Sequence, residues 1–273
     1  MRARELIKSA AVRLTASGSP DPEADALWLV SDALRVPRGA LALRLDDEVD
    51  GEALRWFERA LERRAGGEPL QYVEGFAFFY GREFRVDPRV LIPRSDTEIL
   101  AEAALGRLRP GDRALDLCTG SGILAVTLAL GEPRAHVTGA DVSEDALQVA
   151  RENAHRLGAR VAWVRGDLFD PVEGAFDLIV CNPPYLTAED MGRLQPEVAW
   201  EPAIALDGGK DGMDFYRRIA RALPERLAPG GLAFFEVGQG QADAAARLYA
   251  PLGPVRILKD LSGAERVVIV ERV

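Results

Sequence analysis

The stretch that decides the fold is Asp116-Leu117-Cys118-Thr119-Gly120-Ser121-Gly122. It begins at the end of a predicted strand, 113–118, and precedes a helical pattern that begins at Ile123. Glycines at such a turn let the backbone approach a ligand, and the helix N-terminus offers unpaired N–H groups. Asp141 ends the next predicted strand, where a carboxylate can accept both hydroxyls of a ribose. This combination predicts an adenosine-containing cofactor.

Strand and helix signals alternate along the rest of the C-terminal part, which predicts a parallel sheet covered by helices on both faces. The last two predicted strands are joined by a turn too short for a helical crossover, so they must be antiparallel. We therefore expect an α/β fold with a mostly parallel seven-stranded sheet and an antiparallel C-terminal hairpin. The predicted strands are 113–118, 136–140, 161–165, 176–181, 232–237, 255–258 and 266–270, and the predicted helices are 97–108, one from Ile123, 144–157 and 214–227.

The residues before this region have a different pattern. Three helical segments are predicted at 4–14, 22–34 and 52–64, with Asp21 as the N-cap of the second. Aromatic and β-branched residues punctuated by glycine follow, including Gln71-Tyr72-Val73, and they indicate a β-hairpin. The predicted division is a small helical domain at 1–68, a β-hairpin linker at 69–92 and an α/β domain at 93–273.

Composition limits the classes of function. The chain has 273 residues, 48% of them hydrophobic, and a formal net charge of -9, which disfavours an independent nucleic-acid binder. No run approaches the ~20 apolar residues that a membrane span needs. Only two Cys and two His are present, without metal-ligand spacing. We expect a cytoplasmic protein, a monomer, without a metal, a membrane contact or stable nucleic-acid binding.

The identity of the cofactor needs further signals, because Gly120 to Ala125 also satisfies the loose G-x-G-x-x-A pattern of nicotinamide enzymes. Three observations favour S-adenosylmethionine: Asp116 can bond to its amino-acid part, Asp167 at the end of the third strand can address adenine, and the chain closes with an antiparallel hairpin. The candidate cofactor-binding residues are Asp116, Cys118, Thr119, Gly120, Ser121, Gly122, Asp141, Asp167, Leu168 and Asn182.

The motif Asn182-Pro183-Pro184-Tyr185 follows the fourth predicted strand and opens into the same crevice. Two prolines make this loop rigid. The Asn182 side-chain carbonyl and the Pro183 backbone carbonyl offer two acceptors for the two N–H groups of a planar NH2. Holding both in a geometry that suits a tetrahedral nitrogen leaves its lone pair facing the methyl sulfonium, while Tyr185 packs on the planar group. The predicted catalytic residues are Asn182, Pro183 and Tyr185.

With these residues assembled, the chain resembles the HemK/PrmC type of release factor glutamine methyltransferase over nearly its whole length. The resemblance implies a Rossmann-like class I S-adenosylmethionine-dependent methyltransferase with S-adenosylhomocysteine as product. It also implies methyl transfer to N5 of the glutamine in the Gly-Gly-Gln motif of peptide chain release factors, with the helical domain holding the protein substrate. The expected substrate contacts are Arg94 and Asn182-Pro183-Pro184-Tyr185. Further matching segments are 69–72 with Gly75, 90–94, 97–98, 194–198, 201–202, 205–206, 211–214 and 236–239.

Two departures from the family pattern are visible: Cys118 stands where a glycine is usual, and Ser95-Asp96 replaces a common Pro-Glu pair. The nearest alternative is an amino methyltransferase for DNA adenine or RNA guanine, which shares the Asn-Pro-Pro-Tyr loop but lacks support from a basic segment here. A nicotinamide oxidoreductase and a non-catalytic scaffold are the alternatives from other classes; no hydride-site acid or base is evident for the first.

Overall fold

The computed structural model describes residues 1–170 and 172–273, which form two compact units. One unit comprises Met1–Phe76 with the later segment Gln195–Trp200, and the other comprises Ala77–Leu194 with Glu201–Val273. In the described residues, no helix is long and apolar enough to cross a membrane.

The first unit is helical, as predicted. Its second helix begins where the sequence indicates, because the Asp21 side chain accepts a hydrogen bond from the Ala24 N–H at 3.4 Å and Pro22 occupies the first helical position. Buried Leu14, Leu29 and Phe57 belong to one apolar core, which stabilises the helices by removing apolar surface from water. The helices are α1 (Ala3–Ser17), α2 (Pro22–Ala33), α3 (Gly51–Ala65) and α4 (Leu70–Glu74), and a 3₁₀ turn spans Arg38–Leu43.

Residues 71–73 lie in helix α4, so their assignment to a hairpin was wrong. Pro69 precedes this single turn, and Gly75 ends it in the left-handed conformation, with φ 84°. Leu70 and Val73 are buried in the helical core. The conformation of such a short segment is determined by its burial in the tertiary structure. Its β-branched and aromatic composition is not sufficient to determine it.

The hairpin itself is confirmed at residues 76–85, all but the first of which belong to the second unit. Strands β1 (Phe76–Phe79) and β2 (Arg82–Arg85) pair as a two-stranded sheet. They are joined by Tyr80 and Gly81, with φ values of 49° and 72°. A two-residue loop with both φ angles positive is the turn that suits the natural twist of an antiparallel hairpin.

The second unit contains a seven-stranded sheet in the order β5-β4-β3-β6-β7-β9-β8. The first five strands of this order are parallel, β9 is antiparallel to β7, and β8 is antiparallel to β9, so the predicted fold class is confirmed. The strands are β3 (Arg113–Leu117), β4 (His136–Asp141), β5 (Val161–Arg165), β6 (Phe176–Cys181), β7 (Leu227–Glu236), β8 (Val255–Lys259) and β9 (Glu265–Glu271).

The helices of this unit alternate with the strands. Four differ from the prediction: α5 ends three residues early, α9 ends one residue early, and α8 and α10 were not predicted. The buried residues Ala242, Ala245 and Tyr249 of α10 nevertheless recur at helical spacing. The helices are α5 (Thr97–Leu105), α6 (Ile123–Gly131), α7 (Glu144–Leu157), α8 (Ala188–Met191), α9 (Asp214–Arg226) and α10 (Ala242–Tyr249). Short 3₁₀ turns span Val198–Trp200, Ala203–Ala205 and Ala250–Leu252.

The strand order reverses between β3 and β6, and this reversal positions the site. The chain runs outward from β3 through β4 to β5 and returns to β6 on the other side of β3. Leu117 pairs with Cys181, so the turn after β3 and the loop after β6 leave the sheet side by side. Ligands of open parallel sheets bind at such a switch point, outside the carboxyl ends of the strands.

Candidate active site

Asp116 organises the turn that follows β3. Its side chain is fully buried, and its Oδ2 accepts hydrogen bonds from Thr119 Oγ1 at 2.5 Å and from the Ala125 N–H at 3.0 Å. It therefore ties the end of the strand to the first turn of α6. Burial raises the pKa of Asp116 to about 7, against the lowering effect of both bonds. Its other oxygen, Oδ1, has no hydrogen-bond partner in residues 1–170 and 172–273.

Backbone conformation explains the residue types of this turn. Gly122 has φ 82°, and a Cβ there would lie 3.0 Å from Ala150 Cβ and 3.1 Å from the Trp163 ring, so a side chain would be crowded and its backbone strained. Cys118 has φ 56°, in the left-handed region that favours glycine. A non-glycine residue pays on the order of 1–3 kcal/mol for such a conformation, which accounts for the usual glycine at this position.

Asp141 lies across from this turn at the end of β4. Its Oδ2 accepts the Gly120 N–H and its Oδ1 accepts the Ser143 N–H, both at 2.9 Å. Burial raises its pKa, and these backbone bonds lower it. Each carboxylate oxygen keeps a second lone pair, so the side chain is held in place and can still accept two hydroxyl groups.

A cleft of about 670 Å³, here the first cavity, opens beside Asp141. Leu168 borders it in a left-handed conformation, with φ 57°, at the corner after β5. Its neighbour Asp167 is exposed and accepts a hydrogen bond from Arg218 Nη2 at 2.6 Å. The predicted residues that border the first cavity are Cys118, Gly120, Asp141, Asp167, Leu168, Asn182 and Pro184.

A smaller cleft of about 380 Å³, the second cavity, adjoins the first. Arg94 borders it and donates to the carboxylate of Glu201, which is 6% exposed and also accepts the Ile92 N–H at 2.9 Å. Because Glu201 holds the segment before α5 at two points, Arg94 is kept at this cavity. The predicted residues that border it are Arg94, Cys118, Thr119, Gly120, Ser121 and Asn182.

Asn182 borders both cavities. It directly follows β6, and its Nδ2 donates to the Oγ1 of buried Thr97 at 3.2 Å. An amide side chain whose NH2 is engaged in this way keeps its carbonyl oxygen as an available acceptor. This is the group that the sequence assigns to a substrate NH2.

Of the four residues of this loop, Asn182 and Pro184 line a cavity, whereas Pro183 and Tyr185 are not among the lining residues. Pro183 is buried, and Tyr185 packs partly buried against the apolar core, where burial raises the pKa of its hydroxyl to about 12. The Tyr185 backbone carbonyl accepts the Gln241 Nε2–H at 2.9 Å. The loop is thus held by its own backbone as well as by its prolines.

Gly208 packs against the backbone that follows the Asn-Pro-Pro-Tyr loop. It was not identified in the sequence. Its N–H donates to the Leu186 carbonyl at 2.9 Å, and a Cβ at this position would lie 2.7 Å from Tyr185 Cα. The nearest atoms are backbone, so they cannot rotate away as the end of a side chain would. The loop could keep its place only if residue 208 has no side chain.

We expect the Gly208→Ala variant to lose about 100-fold in kcat, because displacing a reacting group by about 1 Å costs that much. Methyl-transfer rates at saturating substrate measure the effect. Gly106→Ala is the matched control, since a Cβ there meets only ordinary contacts at 3.5 and 3.6 Å and φ is not positive. Equal rates for the two variants would contradict the bracing role.

The two cysteines are free thiols. Cys181 is fully buried, and burial together with a hydrogen bond to Cys118 raises the pKa of its thiol well above the usual range. Cys181 therefore stays a neutral thiol and acts as a small apolar residue beneath the site.

The chain has the architecture of a class I methyltransferase. This class is indicated by the order of the strands, the glycine turn after β3, the acid at the end of β4 and the Asn-Pro-Pro-Tyr loop after β6. Residues 95–201 match the methyltransferase small domain family, and residues 5–75 match the PrmC N-terminal domain. The chain belongs to the release factor glutamine methyltransferase family. A release factor glutamine methyltransferase from Geobacter sulfurreducens is 43% identical to this chain, and the alignment covers 93% of this chain and 91% of the relative. Another from Cereibacter sphaeroides is 43% identical and covers 98% of both chains.

A solved structure supports the fold independently. The crystal structure of a methyltransferase from Pyrococcus furiosus superposes with a TM-score of 0.55, at 23% identity, covering 71% of this chain and 90% of that one. At this identity the likeness concerns the fold alone.

Proposed function

We propose that this methyltransferase transfers a methyl group from S-adenosylmethionine to N5 of the glutamine in the Gly-Gly-Gln motif of peptide chain release factors. The observation that carries the proposal is the place of Asn182, which borders both cavities and whose amide NH2 is engaged by Thr97. The names of the full-length relatives support the same substrate.

The residues of the first cavity fit the proposed cofactor. Asp141 offers acceptors for the ribose hydroxyls, and Leu168 with Val142 offers apolar surface for a base. Asp116 is not among the residues that line this cavity, but its buried Oδ1, without a hydrogen-bond partner in the described residues 1–170 and 172–273, suits a cationic amino group near the turn. When bound, S-adenosylmethionine supplies an electrophilic methyl group on a sulfonium.

The chain's own residues then act by positioning. Asn182 Oδ1 and the Pro183 carbonyl accept the two N–H groups of the target glutamine, and Tyr185 packs against the planar amide. An amide nitrogen is a weak nucleophile because its lone pair is delocalised, so the orientation of the lone pair matters more than a strong base. The proton leaves after methyl transfer to nearby acceptors or water. Arg94, at the second cavity, contacts the substrate beside Asn182.

The remaining assignments belong to the same proposal. The helical domain, residues 1–68, holds the release factor; residues 69–92 are the linker, and 93–273 carry the reaction. The protein acts as a cytoplasmic monomer without stable nucleic-acid binding. The net charge of -9 supports this last point, since a phosphate backbone is held by a basic surface.

The test is mass spectrometry of the Gly-Gly-Gln peptide after incubation of purified release factor with the enzyme and S-adenosylmethionine. We expect a mass gain of one methyl group on that glutamine, because both of its N–H groups have acceptors at the loop. A release factor with alanine in place of the glutamine is the control and stays unmodified.

Duplex DNA and ribosomal RNA are incubated in parallel with labelled cofactor. Label on nucleic acid without methylation of the Gly-Gly-Gln peptide would refute the proposed function and favour the amino methyltransferase of nucleic acids.

A further inference from the structure

Glu236 is a buried acid beside the proposed catalytic loop. It ends β7 with 2% of its surface exposed. Cys181 of β6 pairs with Phe235 of β7 in parallel register, so the residues that follow them, Asn182 and Glu236, emerge next to each other at the carboxyl edge of the sheet. The register between β6 and β7 therefore places Glu236 beside the Asn182 side chain.

Thr97 connects the two side chains. The Asn182 Nδ2 donates to Thr97 Oγ1 at 3.2 Å, which leaves the hydroxyl hydrogen of Thr97 to be donated in turn. Hydrogen bonding by Thr97 and Asn182 lowers the pKa of the Glu236 carboxyl, so both side chains lie within reach of the acid. The three side chains form a cluster that extends from the acid to the reacting loop.

The acid is incompletely satisfied. Its Oε2 lies buried without a hydrogen-bond partner in the described residues 1–170 and 172–273. A carboxylate buried in this way costs stability, and a well-packed apolar residue would avoid the cost. Its position beside Asn182 indicates a role in the site.

We propose that Glu236 is a positioning residue that, through Thr97, sets which end of the Asn182 amide faces the target glutamine; this rests on the proposed function. An ionised carboxylate accepts hydrogen bonds and donates none. It therefore binds the NH2 end of Asn182 and turns the carbonyl oxygen toward the substrate. The reverse orientation would place a donor against the N–H groups of the glutamine.

The ionisation of Glu236 controls this orientation. Burial raises the pKa of Glu236 to about 7; Asp96 also raises it, while Thr97, Arg266 and Asn182 lower it. Burial and the charge of Glu236 raise the pKa of Tyr185 and of Tyr216, and the Tyr216 hydroxyl donates to the Glu236 backbone carbonyl at 2.8 Å. The carboxylate form is the orienting one, so kcat should fall as the pH drops below about 7, where the carboxyl becomes a donor.

Glu236→Gln is the direct test, because the new amide has the same shape but can donate to Asn182 Oδ1. We expect kcat to fall roughly 10- to 100-fold, the cost of a misoriented reacting group. Affinity for S-adenosylmethionine should stay unchanged, and the loss of activity near pH 7 should disappear. Glu98→Gln is the matched control: it is one residue from Thr97, but its carboxylate accepts the Tyr80 N–H, so its kcat and pH profile should equal those of the native protein.

Thr97→Val and Thr97→Ser test the connection. Valine keeps the shape and removes the hydroxyl, so kcat should fall as in Glu236→Gln; serine keeps the hydroxyl and should restore most of the rate. A merely structural role would lower the melting temperature of Glu236→Gln and leave the pH dependence of kcat in place, which would overturn the proposal.

Nuclear magnetic resonance of the Asn182 side-chain NH2 gives a readout that needs no release factor. The resonance is assigned by its absence in Asn182→Ala. We expect it to shift with pH near 7 in the native protein and to lose this shift in Glu236→Gln. A resonance that does not titrate in the native protein overturns the proposal. If the Asn182 resonance titrates but the Gly-Gly-Gln peptide stays unmethylated, the proposed function is rejected, whereas the coupling of Glu236 to Asn182 is retained.

Discussion

Replacing Asn182 with alanine is expected to lower kcat by about 1,000-fold, which corresponds to about 4 kcal/mol of lost transition-state stabilisation. The variant removes the acceptor that the proposed mechanism places on the target NH2. It leaves Asp141 with its backbone bonds from Gly120 and Ser143 in place, so the cofactor side of the site keeps its geometry.

Single-turnover rates with release factor and a separate titration of S-adenosylmethionine measure the two effects. Affinity for the cofactor should change little, because Asn182 is one of many residues that border the first cavity. Thermal unfolding serves as the control for folding. Normal turnover by the variant would remove Asn182 from the mechanism and leave the loop as a structural turn.

The second large effect is expected in the helical unit. Arg64 of α3 is 3% exposed and donates to the carboxylate of Asp25 at 2.7 Å and to Ser19 Oγ at 2.9 Å; it also donates to the carboxylate of Glu197. Arg64→Met keeps much of the side-chain volume but leaves buried Asp25 without its cation. Breaking a buried ion pair from one side costs about 3–5 kcal/mol, because an uncompensated charge remains.

Denaturant unfolding measures this loss. Trp28, Trp56 and Trp200 all lie in the helical unit, so tryptophan fluorescence reports mainly on it. The matched control is Arg44→Met, which breaks the more exposed Arg44–Asp47 pair and should change the free energy of unfolding by about 1 kcal/mol or less. Similar losses for both variants would show that the Arg64 network contributes no more than a surface pair.

Periodic patterns predicted the elements well. Strands β5 and β6 and helix α7 have the predicted bounds. Strand β7 begins at Leu227 and not at residue 232, and α10 was not predicted. Helix α4 has only five residues, so local composition cannot distinguish it from a strand, and the burial of Leu70 and Val73 decides.

The residues of the site also divide into those that the sequence identified and those that it did not. Asn182 and Asp141 were identified because each stands at the end of a predicted strand, next to a recognisable turn. Glu236 stands at such an end too, and its position after a buried strand was a usable signal. Thr97 stood out only as part of the family-like segment 97–98, and Gly208 had no signal, since a glycine in a loop is common in any sequence.

By itself the sequence determined the order of helices and strands, the parallel sheet with its antiparallel end, the family, and the two loops that carry the chemistry. These follow from local periodicity, turn residues and motifs, which need only neighbours along the chain. Only the tertiary structure decided that Gln195–Trp200 belongs to the helical unit, where Glu197 meets Arg64, and that Glu236 emerges beside Asn182. Both depend on register and burial between residues far apart in the chain, which a local pattern does not encode.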